Sequence, residues 1–159
     1  MSAAMSDLAT TQRPMTNAVR RVFMVIATLA AAGIVVSSIS LRHHYGTSAT
    51  SYCDFGENFN CDIVNRSSYS TVLGVPDALI GILGYAVLLA LATAYRAKAE
   101  APAMLLLACV AGLSFALYLT YIEAFVLATW CILCLSSLTL IVLITGLSSF
   151  LVASAMRRS

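Results

Sequence analysis

The chain alternates between long uncharged stretches and short polar ones. Its 16 charged side chains, nine basic and seven acidic, leave four uncharged runs, at residues 22–41, 78–95, 101–122 and 124–155. A helix needs about 20 apolar residues to cross the hydrocarbon of a bilayer, so each run is long enough for one crossing. The pattern therefore predicts four transmembrane helices, the second of which begins at Asp77 directly after a proline.

Composition excludes a soluble protein. With 60% hydrophobic and 10% charged residues, the chain has too little polar surface to cover a water-soluble globule. The predicted fold class is an all-α integral membrane protein, a bundle of four transmembrane helices with a long extracytoplasmic loop between helices 1 and 2. We expect one domain over residues 1–159, divided into a tail (1–19), four transmembrane segments (22–41, 77–95, 101–122 and 124–155) and a redox loop (43–76).

The distribution of basic residues predicts the orientation. Seven of the nine Lys and Arg residues lie in the N-terminal tail, the second connection and the C-terminal tail, whereas only Arg42 and Arg66 fall on the other side. Basic residues accumulate on the cytoplasmic side, so both termini should be cytoplasmic and residues 43–76 should be extracytoplasmic. No basic cluster is interleaved with aromatics, and we expect no nucleic-acid partner.

The start of the first apolar run allows a second interpretation. Arg20 and Arg21 precede it as in a twin-arginine signal, and three alanines at residues 30–32 could form a cleavage site. The run is longer than that of a typical signal peptide, which favours an uncleaved first helix.

Two of the five cysteines lie in the polar loop. Cys53 and Cys61 flank a segment with Gly, Asn and Asp turn residues and two aromatics. The loop between them is short, so a disulfide there closes at small entropic cost and can be made and broken readily. In an oxidising compartment such a pair is a candidate for thiol exchange.

A second pair, Cys131 and Cys134, opens the last apolar run. At helical spacing their side chains share one face, and a helix N-terminus favours the thiolate form. Counting back about 20 residues from Arg157 reaches Ser137, so the pair should lie at the outer edge of the hydrocarbon. Both pairs are then on the same, non-cytoplasmic side.

Two dithiols so arranged can form a relay. The exposed pair can exchange with a soluble thiol protein, and the embedded pair can reduce a lipid-soluble acceptor such as a quinone. Two alternatives remain: structural disulfides in a membrane protein that is not an enzyme, and a four-thiolate zinc site, whose usual ligand spacing is narrower than that of Cys53 and Cys61. We expect no metal.

Several other polar or reactive side chains have simpler interpretations. The sequence pattern favours an interfacial position for His43 and His44 and an inert core thiol for Cys109. Glu123 is interpreted as a charge at the membrane interface rather than a proton relay. Gly81 is expected to serve close helix packing.

The ordered motifs resemble those of the vitamin K epoxide reductase family. The resemblance covers most of the chain and consists of a Cys-x7-Cys loop with two following serines, a Gly-x-x-x-Tyr in the second helix and a Cys-x-x-Cys at the start of the fourth, that is Cys53, Cys61, Ser67, Ser68, Gly81, Tyr85, Cys131 and Cys134. The chain departs from animal members at Asp77, where asparagine is frequent, and at Leu138, where tyrosine is frequent.

The resemblance implies roles for these residues. Cys53 would exchange with a separate thioredoxin-like extracytoplasmic protein, Cys61 would pass electrons to Cys131, and Cys134 would face the quinone. The quinone pocket would also include Ser67, Asp77, Tyr85, Tyr118 and Tyr121.

The expected function is that of a membrane quinone-dependent thiol-disulfide oxidoreductase that supports disulfide formation in secreted proteins. The substrate would be ubiquinone, menaquinone or vitamin K, and a bacterial inner or cell membrane is the expected location. The alternative within the family is reduction of vitamin K epoxide or vitamin K quinone.

Overall fold

Four long helices and a small polar cap make up the part of the chain that the structure describes. The computed structural model describes residues 17–46 and 59–157. In chain order the elements are α1 (Asn17–Tyr45), α2 (Cys61–Asn65), a 3-10 turn (Ser68–Ser70), β1 (Thr71–Val72), β2 (Val75–Pro76), α3 (Asp77–Thr93), α4 (Ala101–Ile122), a π-helical turn (Glu123–Leu127) and α5 (Ile132–Met156).

The apolar helices identify a membrane protein. Three segments are long and apolar enough to cross a bilayer: α1, α4 together with the π-helical turn, and α5. The prediction of a mostly helical membrane protein is therefore confirmed. Helix α3 is also apolar, but its 17 residues lie at the lower end of the length that spans a bilayer.

The helix boundaries differ from the charge pattern at two places. Helix α1 extends beyond residues 22–41 at both ends, because its terminal polar residues lie where a helix can leave the hydrocarbon. The last helix begins at Ile132, whereas the sequence pattern had placed its start at residue 124. Residues 123–127 instead prolong α4, and Ala128, with φ of 49°, takes the left-handed conformation that ends a helix.

The four long helices form a closed ring. Helix α1 packs against α3 and α5, and α4 packs against the same two helices from the other side. The shared core is built on large apolar side chains that include Phe23, Ile26, Leu105, Ile144 and Leu151. Because lipid is as apolar as these residues, close packing rather than transfer from water stabilises the bundle.

One end of the ring carries the polar elements, and we call it the site end. There the C-terminal ends of α1 and α4 meet the N-terminal ends of α3 and α5, and α2, the 3-10 turn and the β1–β2 hairpin lie beside them. The hairpin turns at Leu73 and Gly74, with φ of 53° and 82°, as a two-residue hairpin turn of primed type requires. The site end thus brings together residues far apart in the sequence.

Candidate functional site

The Cys-x-x-Cys motif lies at the start of α5. Cys131 is the N-cap residue in extended conformation, and its carbonyl oxygen accepts a hydrogen bond from the Leu135 amide at 3.0 Å. Cys134 lies in the first helical turn, where the helix N-terminus favours negative charge. Cys131 is fully buried, Cys134 is partly exposed, and both are free thiols.

The two thiols interact directly. A hydrogen bond from the Cys134 thiol lowers the pKa of Cys131 below its ordinary value, and this effect exceeds that of burial, which raises it. Cys131, which lies just before the first residue of α5, therefore ionises more readily than an ordinary cysteine. Such a thiolate is a nucleophile for thiol-disulfide exchange.

The end of the redox loop is attached to the segment that precedes the motif. Phe59 and Trp130 form a parallel β-bridge, and the Asn60 amide donates to the Trp130 carbonyl oxygen at 3.2 Å. Cys61 lies two residues after Phe59 and Cys131 directly follows Trp130, and both cysteines lie with Val64 in one buried cluster. A cysteine of the loop is thus held beside the motif.

Cys61 is disulfide-bonded. It begins helix α2, which Asn60 caps by accepting the Ile63 amide hydrogen bond at 3.0 Å. Cys53, the other cysteine of the predicted outer pair, lies outside the described residues.

A buried asparagine connects Cys131 to α1. The side-chain nitrogen of Asn65 donates to Cys131 Sγ at 3.9 Å, and its Oδ1 accepts the Ser40 hydroxyl at 2.7 Å. Its backbone carbonyl oxygen accepts the Ser70 hydroxyl at 2.7 Å and contacts His44 Nδ1. Asn65 was not singled out from the sequence, although its position four residues after Cys61 places it one helical turn away on the same face.

Glu123 lies beneath the motif and not at a solvated interface. Its side chain is 1% exposed, which corrects its interpretation as an interfacial charge. Oε2 accepts the backbone amide hydrogen of Cys131 at 3.1 Å, and the Cys134 thiol lies beside the same carboxyl group. Glu123 is the first residue of the π-helical turn, and its carbonyl oxygen accepts the Thr129 amide hydrogen bond at 3.2 Å, where the chain leaves α4 toward Cys131.

A cavity of about 500 Å³ opens between the helices next to Cys134. It lies within the size range of small-molecule sites, and its walls are mostly apolar. Three of the predicted pocket residues line it, namely Asp77, Tyr85 and Cys134. Its other polar or small wall residues include Ser37, Ser40, Gly81, Gly84 and Ser137.

The sequence model of the vitamin K epoxide reductase family matches residues 24–149, which is most of the chain. This range contains the described cysteines of the site, the cavity wall and Glu123. The chain belongs to the vitamin K epoxide reductase family. The predicted resemblance is therefore confirmed, and membership makes the chain an oxidoreductase of a family associated in general with quinones. No curated protein sequence gives a significant match.

Tyr85 is fixed in this family member by two contacts. Its hydroxyl donates to the Ser137 carbonyl oxygen at 2.8 Å and lies 3.0 Å from the Ser137 hydroxyl. Its ring packs over Gly33 so closely that a Cβ there would lie 2.4 Å from Cδ1 and Cε1 of the ring. Neither Gly33 nor Ser137 was identified from the sequence, because the contact joins helices that are distant in the chain.

Three other predicted pocket residues do not line the large cavity. Ser67 lies in a smaller adjoining pocket together with Asp77 and Glu123, and its hydroxyl donates to the Val64 carbonyl oxygen at 2.8 Å. Tyr118 and Tyr121 are more than half exposed on α4, and the Tyr121 ring lies 5.0 Å from that of Phe125. Their assignment to the quinone pocket stays a prediction.

The two histidines at the end of α1 contact α2, one of the polar elements at the site end. His43 Nδ1 lies 3.7 Å from the Asp62 carboxylate, and His44 contacts Asn65. Within residues 17–46 and 59–157, no three His, Cys, Asp or Glu side chains are arranged to hold a metal ion. The alternative of a four-thiolate zinc site includes Cys53, which is outside the described residues, so the structure does not test it.

Proposed function

We propose that the chain is a membrane quinone-dependent thiol-disulfide oxidoreductase. Electrons would enter from a separate thioredoxin-like extracytoplasmic protein at Cys53 and Cys61, pass to Cys131 and Cys134, and leave on a quinone. One observation carries the proposal: the Cys-x-x-Cys motif has a loop cysteine packed on one side and a quinone-sized cavity on the other. The product would be disulfide bonds in secreted proteins.

The first transfer is thiol-disulfide exchange. The Cys61 thiolate attacks Cys131 Sγ of the oxidised inner pair, the bond from Cys131 to Cys134 breaks, and Cys134 leaves as a thiolate. Cys53 then attacks Cys61, which closes the outer disulfide and releases Cys131. Two electrons have then moved from the outer to the inner cysteine pair. The buried cluster of Cys61 and Cys131 supports this step, because the two sulfur atoms are already held close together before they react.

The second transfer reduces the quinone. The inner dithiol gives up two electrons and two protons and closes to a disulfide, while the quinone becomes the quinol. The apolar cavity accommodates a ring beside Cys134, with Asp77 and Tyr85 in its wall. Ser67, Tyr118 and Tyr121 remain candidates for the same pocket, and the isoprenoid tail would extend into the lipid.

The proposed topology has four crossings in a single domain. Helix α3 would be the short fourth crossing, both termini would be cytoplasmic, and the site end would face the extracytoplasmic side of a bacterial inner or cell membrane. The excess of basic residues near the opposite end supports this orientation.

Reduction of vitamin K epoxide or vitamin K quinone is the second candidate. Family membership favours it, and the same dithiol and cavity would serve. Turnover of the epoxide by the purified protein, measured beside turnover of ubiquinone and menaquinone analogues, distinguishes the two candidates.

The decisive experiment is anaerobic quinone reduction by the purified protein with dithiothreitol as the electron donor. We expect wild type and Cys109→Ala to reduce the quinone and Cys134→Ala to lose the reaction. Retention of the wild-type rate by Cys134→Ala would contradict the assignment. If wild type consumes no quinone and its disulfides resist mild reductant, the cysteines are structural.

A trapping experiment tests the path between the pairs. In the double variant Cys53→Ala and Cys134→Ala, a mild oxidant should join the Cys61 and Cys131 thiols, because neither Cys53 nor Cys134 is left to release the bond. Mass spectrometry of the non-reduced protein should find this bond. A bond from Cys131 to Cys53 in the matched variant Cys61→Ala and Cys134→Ala, with none between Cys61 and Cys131 in the first, would reverse the assigned order of the outer cysteines.

A further inference from the structure

A buried carboxyl group lies at the redox motif, and no cationic side chain of the described residues lies beside it. Glu123 is 1% exposed, its Oε2 accepts the Cys131 amide hydrogen at 3.1 Å, and its Oε1 has no hydrogen-bond partner of ordinary geometry among the described residues. The Cys134 thiol lies beside the carboxyl group. Burying such an oxygen is costly, so a carboxyl group kept there has a reason beyond packing.

The surroundings of Glu123 lead toward the cavity. Asp77 lines both the small pocket that contains Glu123 and the large cavity that contains Cys134. The other ionisable groups facing Glu123 are the two thiols on α5 and its N-cap, and Tyr69 from the cap, which lines the small pocket. His44 in turn acts electrostatically on Asp77.

We propose that Glu123 is the proton carrier of the inner dithiol: it takes the Cys134 thiol proton as that sulfur becomes the nucleophile, and the proton leaves through Asp77 toward the quinone oxygen. This inference rests on the proposed function and adds to it a catalytic residue that contacts the reacting thiol. The bond from Oε2 to the Cys131 amide holds the carboxyl group in place during the transfer.

The step balances in atoms and electrons. The Glu123 carboxylate removes the Cys134 proton, and the thiolate sulfur forms a bond to a quinone ring carbon, so that one quinone oxygen becomes anionic and takes the proton returned from Glu123. Cys131 then attacks Cys134 Sγ; the sulfur–carbon bond breaks, its electron pair stays on the ring, and the proton of Cys131 completes the quinol. Glu123 ends as it began, as a carboxylate.

The same group serves the opposite step. When the Cys61 thiolate attacks Cys131 Sγ, Cys134 leaves with negative charge and must regain a proton. The Glu123 carboxylate takes the proton that the Cys61 thiol gives up and passes it to Cys134, so it is again a carboxylate when the quinone step begins. One residue thus handles the proton of Cys134 in both directions.

The experiment compares the pH dependence of kcat for quinone reduction in wild type, Glu123→Gln, Glu123→Asp and the control Glu100→Gln. The glutamine oxygen still accepts the Cys131 amide hydrogen bond, so position is preserved while proton transfer is lost. Glu100 is an exposed carboxylate in the connection between α3 and α4, far from the site end in the fold.

We expect Glu123→Gln to lower kcat by about 100-fold near neutral pH. The deficit should shrink as the pH rises, because hydroxide can then deprotonate Cys134 without help. Glu123→Asp keeps a carboxyl group and should retain the shape of the wild-type profile at a reduced rate. Glu100→Gln should match wild type throughout.

A loss in Glu123→Gln that is equal at every pH, or a kcat within threefold of wild type, overturns the proposal, since a purely structural role predicts no change in profile shape. If wild type and Glu100→Gln are also inactive, the proposed function itself has failed and this inference with it. The two failures are therefore distinguishable.

A second measurement covers the case in which Glu123→Gln does not fold. Infrared difference spectra of wild type and Asp77→Asn, between the disulfide and dithiol states, should both contain a carboxylate band, because the Glu123 carboxylate accepts a hydrogen bond from the Cys134 thiol only in the dithiol state. Absence of this band from Asp77→Asn overturns the proposal, because Glu123 would then keep the same hydrogen bonding in both redox states.

Discussion

Cys109 and Cys131 are both fully buried, yet the structure gives them different surroundings. Cys109 lies in the middle of α4, with its sulfur 3.5 Å from the Ser148 hydroxyl and no second thiol near it in sequence. Cys131 lies at a helix N-terminus and has a thiol, an amide side chain and a carboxyl group around it. Burial alone therefore does not decide whether a cysteine is reactive; the neighbouring hydrogen-bond donors and helix termini do.

The same contrast holds for the two regions that contain these cysteines. The middle of the bundle is packed with apolar side chains, and its serines and threonines mostly bond back to their own helices. The site end instead joins α1, α2 and α5 through the side chain of Asn65. The bundle is held by apolar packing between helices, whereas the site end is held by hydrogen bonds between side chains of different elements.

The largest expected effect separates the two cysteines directly. Cys131→Ser should lower quinone reduction at least about a thousandfold, because the inner disulfide can no longer form. Cys109→Ser should leave the rate within twofold of wild type. Equal losses in the two variants would mean that Cys109 also takes part in the reaction, which would contradict the difference drawn between the two cysteines.

The second effect concerns the frame. Gly33→Ala should destabilise the protein by about 3 kcal/mol, because the added methyl group would collide with the rigid Tyr85 ring. The control is Gly146→Ala in α5, where a Cβ meets nothing within 4 Å. Reversible unfolding in detergent measures both. A Gly33→Ala variant as stable as the control would show that the ring can move aside.

A smaller effect is expected at the polar connection. Asn65→Ala should cost about 2 kcal/mol, because it leaves the buried Ser40 hydroxyl without its partner and removes the donor to Cys131. The bond between Cys131 and Cys61 should also form more slowly when Asn65→Ala is added to the double variant Cys53→Ala and Cys134→Ala. Unchanged trapping with reduced stability would limit Asn65 to a structural role.

The smallest effect is a shift in a titration. The hydrogen bond from Cys134 lowers the pKa of Cys131, so the thiolate of the reduced protein should appear at a lower pH than that of an ordinary cysteine. Thiolate ultraviolet absorbance, with the Cys131→Ser curve subtracted, measures this. In Cys134→Ala the midpoint should move to higher pH; no movement would mean that the other neighbours of Cys131 cause the shift.

The sequence predicted the helices better than it predicted their ends. Charges interrupt the apolar runs, and the third predicted helix agrees with α4. The start of α5 could not be found in this way, because the break at Ala128 lies within an uncharged run and depends on a left-handed residue that is not glycine. Backbone conformation of this kind leaves no mark in a charge pattern.

The sequence predicted the cysteines of the candidate site but not the residues that pack around them. The spacing of Cys131 and Cys134 and the family motifs predicted a redox-active pair, and the structure places the two thiols in contact; their redox role stays a prediction. The burial of Glu123 was not predictable, since it depends on how the end of α4 meets the start of α5, and the contact of Gly33 with Tyr85 depends on how α1 packs against α3. Such features arise from tertiary packing and not from local sequence.

The β-bridge between Phe59 and Trp130 has a kinetic consequence. It fixes Cys61 next to Cys131 within one molecule, so the proposed exchange between the two cysteine pairs would be unimolecular, with a rate constant independent of the protein density in the membrane. Only the encounters with the soluble thiol protein and with the quinone would then respond to concentration.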